Sequence, residues 1–417
     1  MKQIIIEGGN VLSGEIKVSG AKNSAVALVP ASILCDEEVT IDNIPNISDI
    51  EALKEILNHL GAKIKQENSL LTIDPTVIDN REIPEEISKK LRASYYFMGA
   101  ILGKYKKAEM FFPGGCSIGA RPIDLHLKGF EALGAKVIND GNKYIVEADE
   151  LKGANIYLDI ASVGATINIM LAAVKAKGKT IIDNAAKEPE IVNVATFLNN
   201  MGAKIRGAGT STIKIQGVDH LHKCFHEVIP DRIEAGTYII IGALCGDNLK
   251  VSNLIPEHIE SLLSKLEEIG VPLEIGVDYV IVSHGDKYKA TNIKTLVYPG
   301  FPTDLQQPLT TLLTQCKGKS KVTETIWENR FMHVPYLSNL GADIVVKNQT
   351  ATIIGPTKLK GSEVVATDLR AGAAMVCACL IAEGKSRITN VEHILRGYEN
   401  IIEKLSNVGA KIELNEI

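Results

Sequence analysis

Several familiar signatures are missing from this 417-residue sequence, and each absence closes a door. Its seven cysteines, at positions 35, 116, 224, 245, 316, 377 and 379, form no CxxC pair, and their number is odd. In a chain of this size the pattern reads as reduced thiols in a cytoplasmic protein rather than a disulfide framework. No apolar run reaches the ~18 residues a membrane span needs. The opening MKQIIIEGGN has neither the apolar core nor the small-residue cleavage site of a signal peptide. Forty-five Lys and Arg against 50 Asp and Glu leave a net charge of −5, with no basic run or tail. A nucleic-acid partner is not expected, although a few converging cations would suffice for a small anionic substrate. GGNVLSGEIK lacks the GK[ST] ending of a phosphate-binding P-loop, GGCSIG is not a GxGxxG after a strand, and no HExxH occurs. These gaps argue against a nucleotide hydrolase, a nicotinamide enzyme and a zinc hydrolase.

What is present is a long chain with a strong internal period. At this length two domains are expected rather than one. The string LGAKI or a variant recurs six times, around Gly61, Gly134, Gly202, Gly270, Gly341 and Gly409, at intervals of 68 to 73 residues. Each copy follows an amphipathic stretch. In HIESLLSKLEEIG, residues Ile259, Leu262, Leu263, Leu266 and Ile269 fall at helical spacing. The glycine then stands where the helix ends in a left-handed backbone, and a β-rich run such as STIKIQG or TATIIG follows. Each repeat also carries a uniformly apolar stretch, for example SAVALVPASIL, VGATINIMLAAVKA or LRAGAAMVCACLIA, expected to be a buried helix. One repeat thus reads as two helices and about four strands. The sixth is cut short at the C-terminus, and the opening QIIIEGGNVLSGEIKVSG resembles its missing strands, so residues 1 to about 21 are expected to complete it. Three repeats per domain place the first domain at 22–229 and the second at 1–21 plus 230–417, with two chain crossings, a hinge and a cleft.

Just before each buried helix lies a polar slot: Lys22-Asn23, Arg92, Ser162, Asp231-Arg232, Thr303-Asp304 and Asp368-Arg370. Helix N-termini present free N–H groups and a positive dipole end, so cations gathered there suit a phosphate compound. The same residues can instead cap helices and tie repeats together, and for Asp231, Arg232, Asp368 and Arg370 the two readings stand level. The second repeat departs from the others in PGGCSIGARPIDLH, Pro113 to His126, where three glycines allow unusual backbone angles. A cysteine near Arg121 and a helix start is a candidate reactive thiol, although an isolated cysteine is more often inert core.

The strings SGAKNSAVAL, LRASYYFMG, PGGCSIGARPIDLHLKGFEALGA, SVGATINIM, AAKEPEIVN, DRIEAGT, FPTDLQQ, TETIWENRFMHVP, ATDLRA and RGYENI resemble, in order and spacing from Gly8 onward, the UDP-N-acetylglucosamine 1-carboxyvinyltransferases of the enolpyruvyl transferase family. The resemblance implies an α/β fold of two domains, each of three two-helix/four-strand repeats around buried helices, an inside-out α/β barrel. It implies transfer of the enolpyruvyl group of phosphoenolpyruvate to the 3′-hydroxyl of UDP-N-acetylglucosamine, the first committed step of peptidoglycan synthesis. These two small molecules are the implied partners; no metal or organic cofactor is required, and oligomeric state is left open. Carried over residue by residue, Lys22 and Asn23 contact both substrates, and Arg121 and Arg396 clamp phosphoenolpyruvate. Arg92 with Arg121, Pro122, Ile123, Asp124 and Leu125 holds the nucleotide-sugar, Ser162 and Val163 form a nucleotide-binding turn, and Asp304 and Ile326 meet the sugar. Cys116 is the implied acid and Asp304 the implied base, with Lys22 assisting. Some members carry lysine where this chain has Ile160. Two rival readings are a 5-enolpyruvylshikimate-3-phosphate synthase and a non-catalytic nucleotide-sugar sensor; the GGCSIGARPIDLH loop speaks against the first, and an intact acid and base against the second.

Overall fold

The computed structural model describes residues 2–112 and 123–416, and of Arg92 the backbone alone. The fold is mixed α/β. The chain separates into two compact units, one of residues 20–112 and 123–229 and the other of residues 2–19 and 230–416. Each unit has its own apolar core, and each contains three of the six sheets among the described residues.

Within the first unit, the helix Val163–Ala173 is buried from Ala165 onward, because its face carries Ile167, Ile169, Met170 and Leu171 with no charge to keep it at the surface. It is flanked by the strands Asn155–Tyr157 and Lys179–Asp183, which run parallel to one another. An antiparallel pair, Lys204–Arg206 and Thr212–Gln216, completes that sheet. The same wiring joins Phe225–Glu227 in parallel to Val39–Asp42, so the end of this unit closes its first sheet. The three apolar helices Lys22–Ala31, Tyr96–Tyr105 and Val163–Ala173 form the centre of the core. Their approach is close: a Cβ at Gly99 would collide with the side chain and carbonyl of Asn168.

In the second unit the buried helices are Arg232–Cys245, Gln306–Leu313 and Leu369–Ile381. The strand Lys2–Glu7 lies between Lys385–Thr389 and Lys411–Glu416, antiparallel to both. Residues 1 to about 21 are expected to complete the sixth repeat, and here the structure differs. Glu15–Lys17 pairs in parallel with Leu249–Ser252, in the sheet of the fourth repeat. The reason is the wiring: Phe225–Glu227, which precedes Arg232–Cys245 in sequence, pairs instead with Val39–Asp42, and the short parallel strand beside Leu249–Ser252 is supplied by the N-terminal segment.

The six repeating glycines all have positive φ, from 93° at Gly134 to 110° at Gly341, as a left-handed helix end requires. A second recurring junction has no counterpart in the sequence reading. Where a central strand ends, Asn43, Asn184, Asn253 and Asn390 adopt φ of 55° to 58°. Asparagine tolerates this region because its short side chain bonds locally. Asn43, Asn184 and Asn253 each donate Nδ2 to a carbonyl just past the neighbouring parallel strand, at Val228, Leu158 and Val18. Among the described residues no helix is long and apolar enough to cross a membrane.

Candidate active site

In the first unit, Lys22 begins the helix Lys22–Ala31, a place the helix dipole disfavours for a cation. Its Nζ is compensated by Asp49 Oδ2 at 2.8 Å, a carboxylate buried in the first turn of Ser48–Leu60. Asn23 follows on the same half-buried turn. Arg92 opens the short 3₁₀ turn Arg92–Tyr95. Ile123 is buried, Asp124 is exposed at the start of Asp124–Ala132, and Leu125 packs on the core. Ser162 caps Val163–Ala173, its Oγ accepting from Ala165 N at 3.2 Å. Cys116, Arg121 and Pro122 lie outside the described residues. Ile160 is 67% exposed.

A residue not singled out in the sequence draws three of these segments together. Asn168 is fully buried, and its Nδ2 donates to Tyr95 O at 2.9 Å and to His126 Nδ1 at 3.0 Å. Its Oδ1 accepts from Gly99 N at 2.8 Å. One amide therefore fixes the turn that carries Arg92, the helix that carries Asp124 and Leu125, and the helix that Ser162 caps. Its signal was available: a lone amide in the apolar run VGATINIM must find partners when buried.

In the second unit, Asp304 lies in the 3₁₀ turn Thr303–Leu305 ahead of Gln306–Leu313. Its carboxylate is gripped on both oxygens. Arg330 Nη2 donates to Oδ1 at 2.6 Å, and Arg370 Nε donates to Oδ2 at 3.2 Å. The guanidiniums are only 3% and 4% exposed, whereas the Asp304 side chain is 28% exposed. Arg370 also lies over the Tyr398 ring at 5.4 Å. Ile326 is half-buried, and its N–H is held at 2.8 Å by Glu324 Oε1. Arg396, half-buried, follows the short helix Glu392–Leu395. For two of the evenly balanced slots the structure shows the capping role. Asp231 accepts from Ile233 N and Glu234 N, and Asp368 from Arg370 N and Ala371 N. Arg232 lies over the Tyr298 ring at 5.5 Å. Behind these, buried Glu234 accepts from Ser19 N at 2.8 Å and from Lys404 Nζ at 2.7 Å. Burial pushes its carboxyl up to about 7 against the pull of Lys404.

In the second unit Asp304 is thus aimed by two buried arginines, and in the first unit one amide ties the helix starts together. Residues 6–405 match the family model described as EPSP synthase (3-phosphoshikimate 1-carboxyvinyltransferase). The chain belongs to this enolpyruvyl transferase family. Among its members, the UDP-N-acetylglucosamine 1-carboxyvinyltransferase 2 of Listeria monocytogenes serovar 1/2a is 57% identical, over 98% of this chain and 97% of its own. The protein of that name from Bacillus cereus is 56% identical over 99% of this chain and 96% of its own. Among solved structures, the enolpyruvyl transferase NikO from Streptomyces tendae superposes with a TM-score of 0.90 at 27% identity, covering 99% of each chain. An EPSP synthase from Acinetobacter baumannii gives 0.77 at 17% identity over 100% of each chain, a likeness of fold alone. Within the enolpyruvyl transferase family, the α/β architecture is thus shared well beyond sequence similarity.

Proposed function

We propose that this enolpyruvyl transferase moves the enolpyruvyl group of phosphoenolpyruvate onto the 3′-hydroxyl of UDP-N-acetylglucosamine, with release of phosphate, as the first committed step of peptidoglycan synthesis in the cytoplasm. One observation carries the acceptor: the match to relatives named for that reaction runs over nearly the whole chain at 56–57% identity. The domains are 22–229 and 1–21 plus 230–417, each built of three two-helix/four-strand repeats around its buried helices as an inside-out barrel. Five four-stranded sheets support that repeat, whereas the sheet of the second repeat, Lys107–Phe111, Lys136–Asn139 and Lys143–Glu147, has three strands among the described residues.

The chemistry needs a proton donor and a proton acceptor. The Cys116 thiol gives its proton to the methylene carbon of phosphoenolpyruvate while the sugar hydroxyl oxygen bonds to the neighbouring carbon. Asp304 takes the hydroxyl proton; an aspartate is ionised at neutral pH and so is free to accept it. The resulting tetrahedral adduct loses a proton from the new methyl group to the thiolate and expels phosphate, which carries away the proton held by Asp304, restoring the carbon–carbon double bond. Each proton transfer contributes roughly 10²–10⁴-fold. Arg330 and Arg370 support the base reading, because they fix the orientation of Asp304 without occupying all of its lone pairs. Lys22, Arg121 and Arg396 stabilise charge on the phosphate and carboxylate of the donor. Lys22 and Asn23 also meet the sugar, as does Ile326, while Arg92, Arg121 to Leu125, Ser162 and Val163 hold the nucleotide.

The test is phosphate release from phosphoenolpyruvate with each of two acceptors. UDP-N-acetylglucosamine is expected to support turnover and shikimate-3-phosphate is not. The reverse result would assign the chain to the other enolpyruvyl reaction, and binding without release would make it a sensor.

A further inference from the structure

Five sheets contain the same junction, recognisable by one hydrogen bond. The N–H just past the short parallel strand donates to the last carbonyl of the central strand: Val18 to Ser252, Leu158 to Asp183, Val228 to Asp42, Thr295 to Thr323 and Ala366 to Thr389. The next residue of the central strand is asparagine in four of them, Asn253, Asn184, Asn43 and Asn390, all left-handed. In the fifth it is Glu324. The backbone carbonyl that asparagine would serve, that of Thr295, is served instead by Thr325 Oγ1. Glu324 is thereby released from the junction's usual task.

Its carboxyl does something else. It is 1% exposed and accepts four hydrogen bonds. Oε1 takes Thr295 Oγ1 at 2.8 Å, Ile326 N at 2.8 Å and Trp327 N at 3.3 Å. Oε2 takes Thr303 Oγ1 at 2.9 Å. One side chain therefore pins the turn bearing Ile326 to the turn bearing Asp304, since Thr303 immediately precedes that aspartate. Burying a carboxyl is costly unless its oxygens are satisfied. Retaining one where four sister repeats manage with a neutral amide points to a task beyond folding.

We propose that Glu324 is a positioning residue for the sugar acceptor, setting the Thr303-Asp304 turn against the Ile326-Trp327 turn. This rests on the reading that Asp304 and Ile326 meet the sugar. The chain holds one tryptophan, Trp327, so its fluorescence reports on this turn directly. Two variants test the assignment. Glu324→Asn installs the residue of the sister repeats, whose shorter side chain cannot span both turns. Glu324→Gln keeps an oxygen for Ile326 N and Trp327 N, and Thr303 Oγ1 can rotate to accept from the new amide.

In Glu324→Asn, amide exchange at Ile326 and Trp327 should quicken and the tryptophan emission shift, while the rest of the unit stays protected. The KM for UDP-N-acetylglucosamine should rise and kcat/KM fall about 100-fold, the scale of a misplacement near 1 Å, with the KM for phosphoenolpyruvate unmoved. Glu324→Gln should recover to within about threefold of the parent. Unchanged exchange and emission in Glu324→Asn would overturn the pinning, and changed exchange with unchanged acceptor kinetics would overturn its purpose. If Glu324→Asn does not fold, Glu324→Gln decides alone: a folded glutamine variant as impaired as about 100-fold, with both amides still protected, refutes positioning, and near-parental kinetics uphold it. Failure of the underlying reading shows separately, as normal turnover in Asp304→Asn.

Discussion

The two units solve the same geometric problem with different chemistry. In the first, the helix starts expected to hold the nucleotide are tied by neutral groups: the Ser162 hydroxyl, the Asn168 amide, the Tyr95 carbonyl and the His126 ring. In the second, charge is used more widely: part-exposed Asp304 with buried Arg330 and Arg370, Glu234 with Lys404, and the Glu324 carboxyl at a strand end, against the single Lys22–Asp49 pair described at the first unit's helix starts. Repetition of a backbone therefore does not impose repetition of electrostatics. A neutral network positions without a strong field, whereas paired ions couple position to charge and leave a large penalty when one partner is removed.

The sharpest test of this contrast is Asp304→Asn, which keeps the shape of the side chain while removing the charge. Turnover should fall by roughly 10²–10⁴-fold with far-UV circular dichroism unchanged; near-normal turnover would remove Asp304 from the chemistry. Alanine is a poorer choice at this position, because it would strand two buried guanidiniums.

Thiols provide a comparison in which the units should not differ. Burial raises Cys35 and Cys224 in the first unit, the latter to about 12, and raises Cys245, Cys316 and Cys379 in the second to about 12, with Cys377 higher still. Since the thiolate is the nucleophile, iodoacetamide at neutral pH should alkylate Cys116 with a preference on the order of 10²-fold or more. Peptide mapping that finds the label spread over the other six would contradict this.

Acidity should separate the units in sign. His226 in the first unit, held by Asn193 and Asn200, is lowered by burial from 6.5 to about 4. It binds its proton less well folded than unfolded, so its contribution is in place above pH 6.5 and is lost as pH falls through about 4. Glu234 in the second unit is raised from 4.5 to about 7, so its contribution is in place below 4.5 and is lost as pH rises through about 7. Relative to the parent, His226→Gln should therefore lose stability as pH rises from 4 to 6.5, and Glu234→Gln should gain it between 4.5 and 7. Each swing is on the order of 3 kcal/mol, read by denaturant titration across pH. Parallel slopes would erase the distinction. The smallest effect is expected at the neutral cap: Ser162→Ala should cost about 1 kcal/mol, visible as a shifted urea midpoint.

How much of this was legible in the sequence depends on whether a signal was local. The six helix-ending glycines were, because a left-handed backbone after an amphipathic run leaves a short, repeated string. Asn43, Asn184, Asn253 and Asn390 left a signal just as regular, one residue past each central strand, but a single letter without a surrounding string does not announce itself. Arg370 was legible as a slot residue. Arg330 was not, because its place beside Asp304 depends on how a loop 26 residues further along folds back. Glu324 was hidden for the same reason, and the lone amide of Asn168 in VGATINIM announced a need for partners but not which distant segments it joins.

The central position of Lys2–Glu7 bears on how the molecule is made. This strand is made long before its two neighbours, Lys385–Thr389 and Lys411–Glu416, which follow it by most of the sequence. The segment 20–229 has all of its own strands in hand midway through synthesis. Lys2–Glu7 must wait, unpaired and apolar at Ile4 and Ile6, until those two segments have been made.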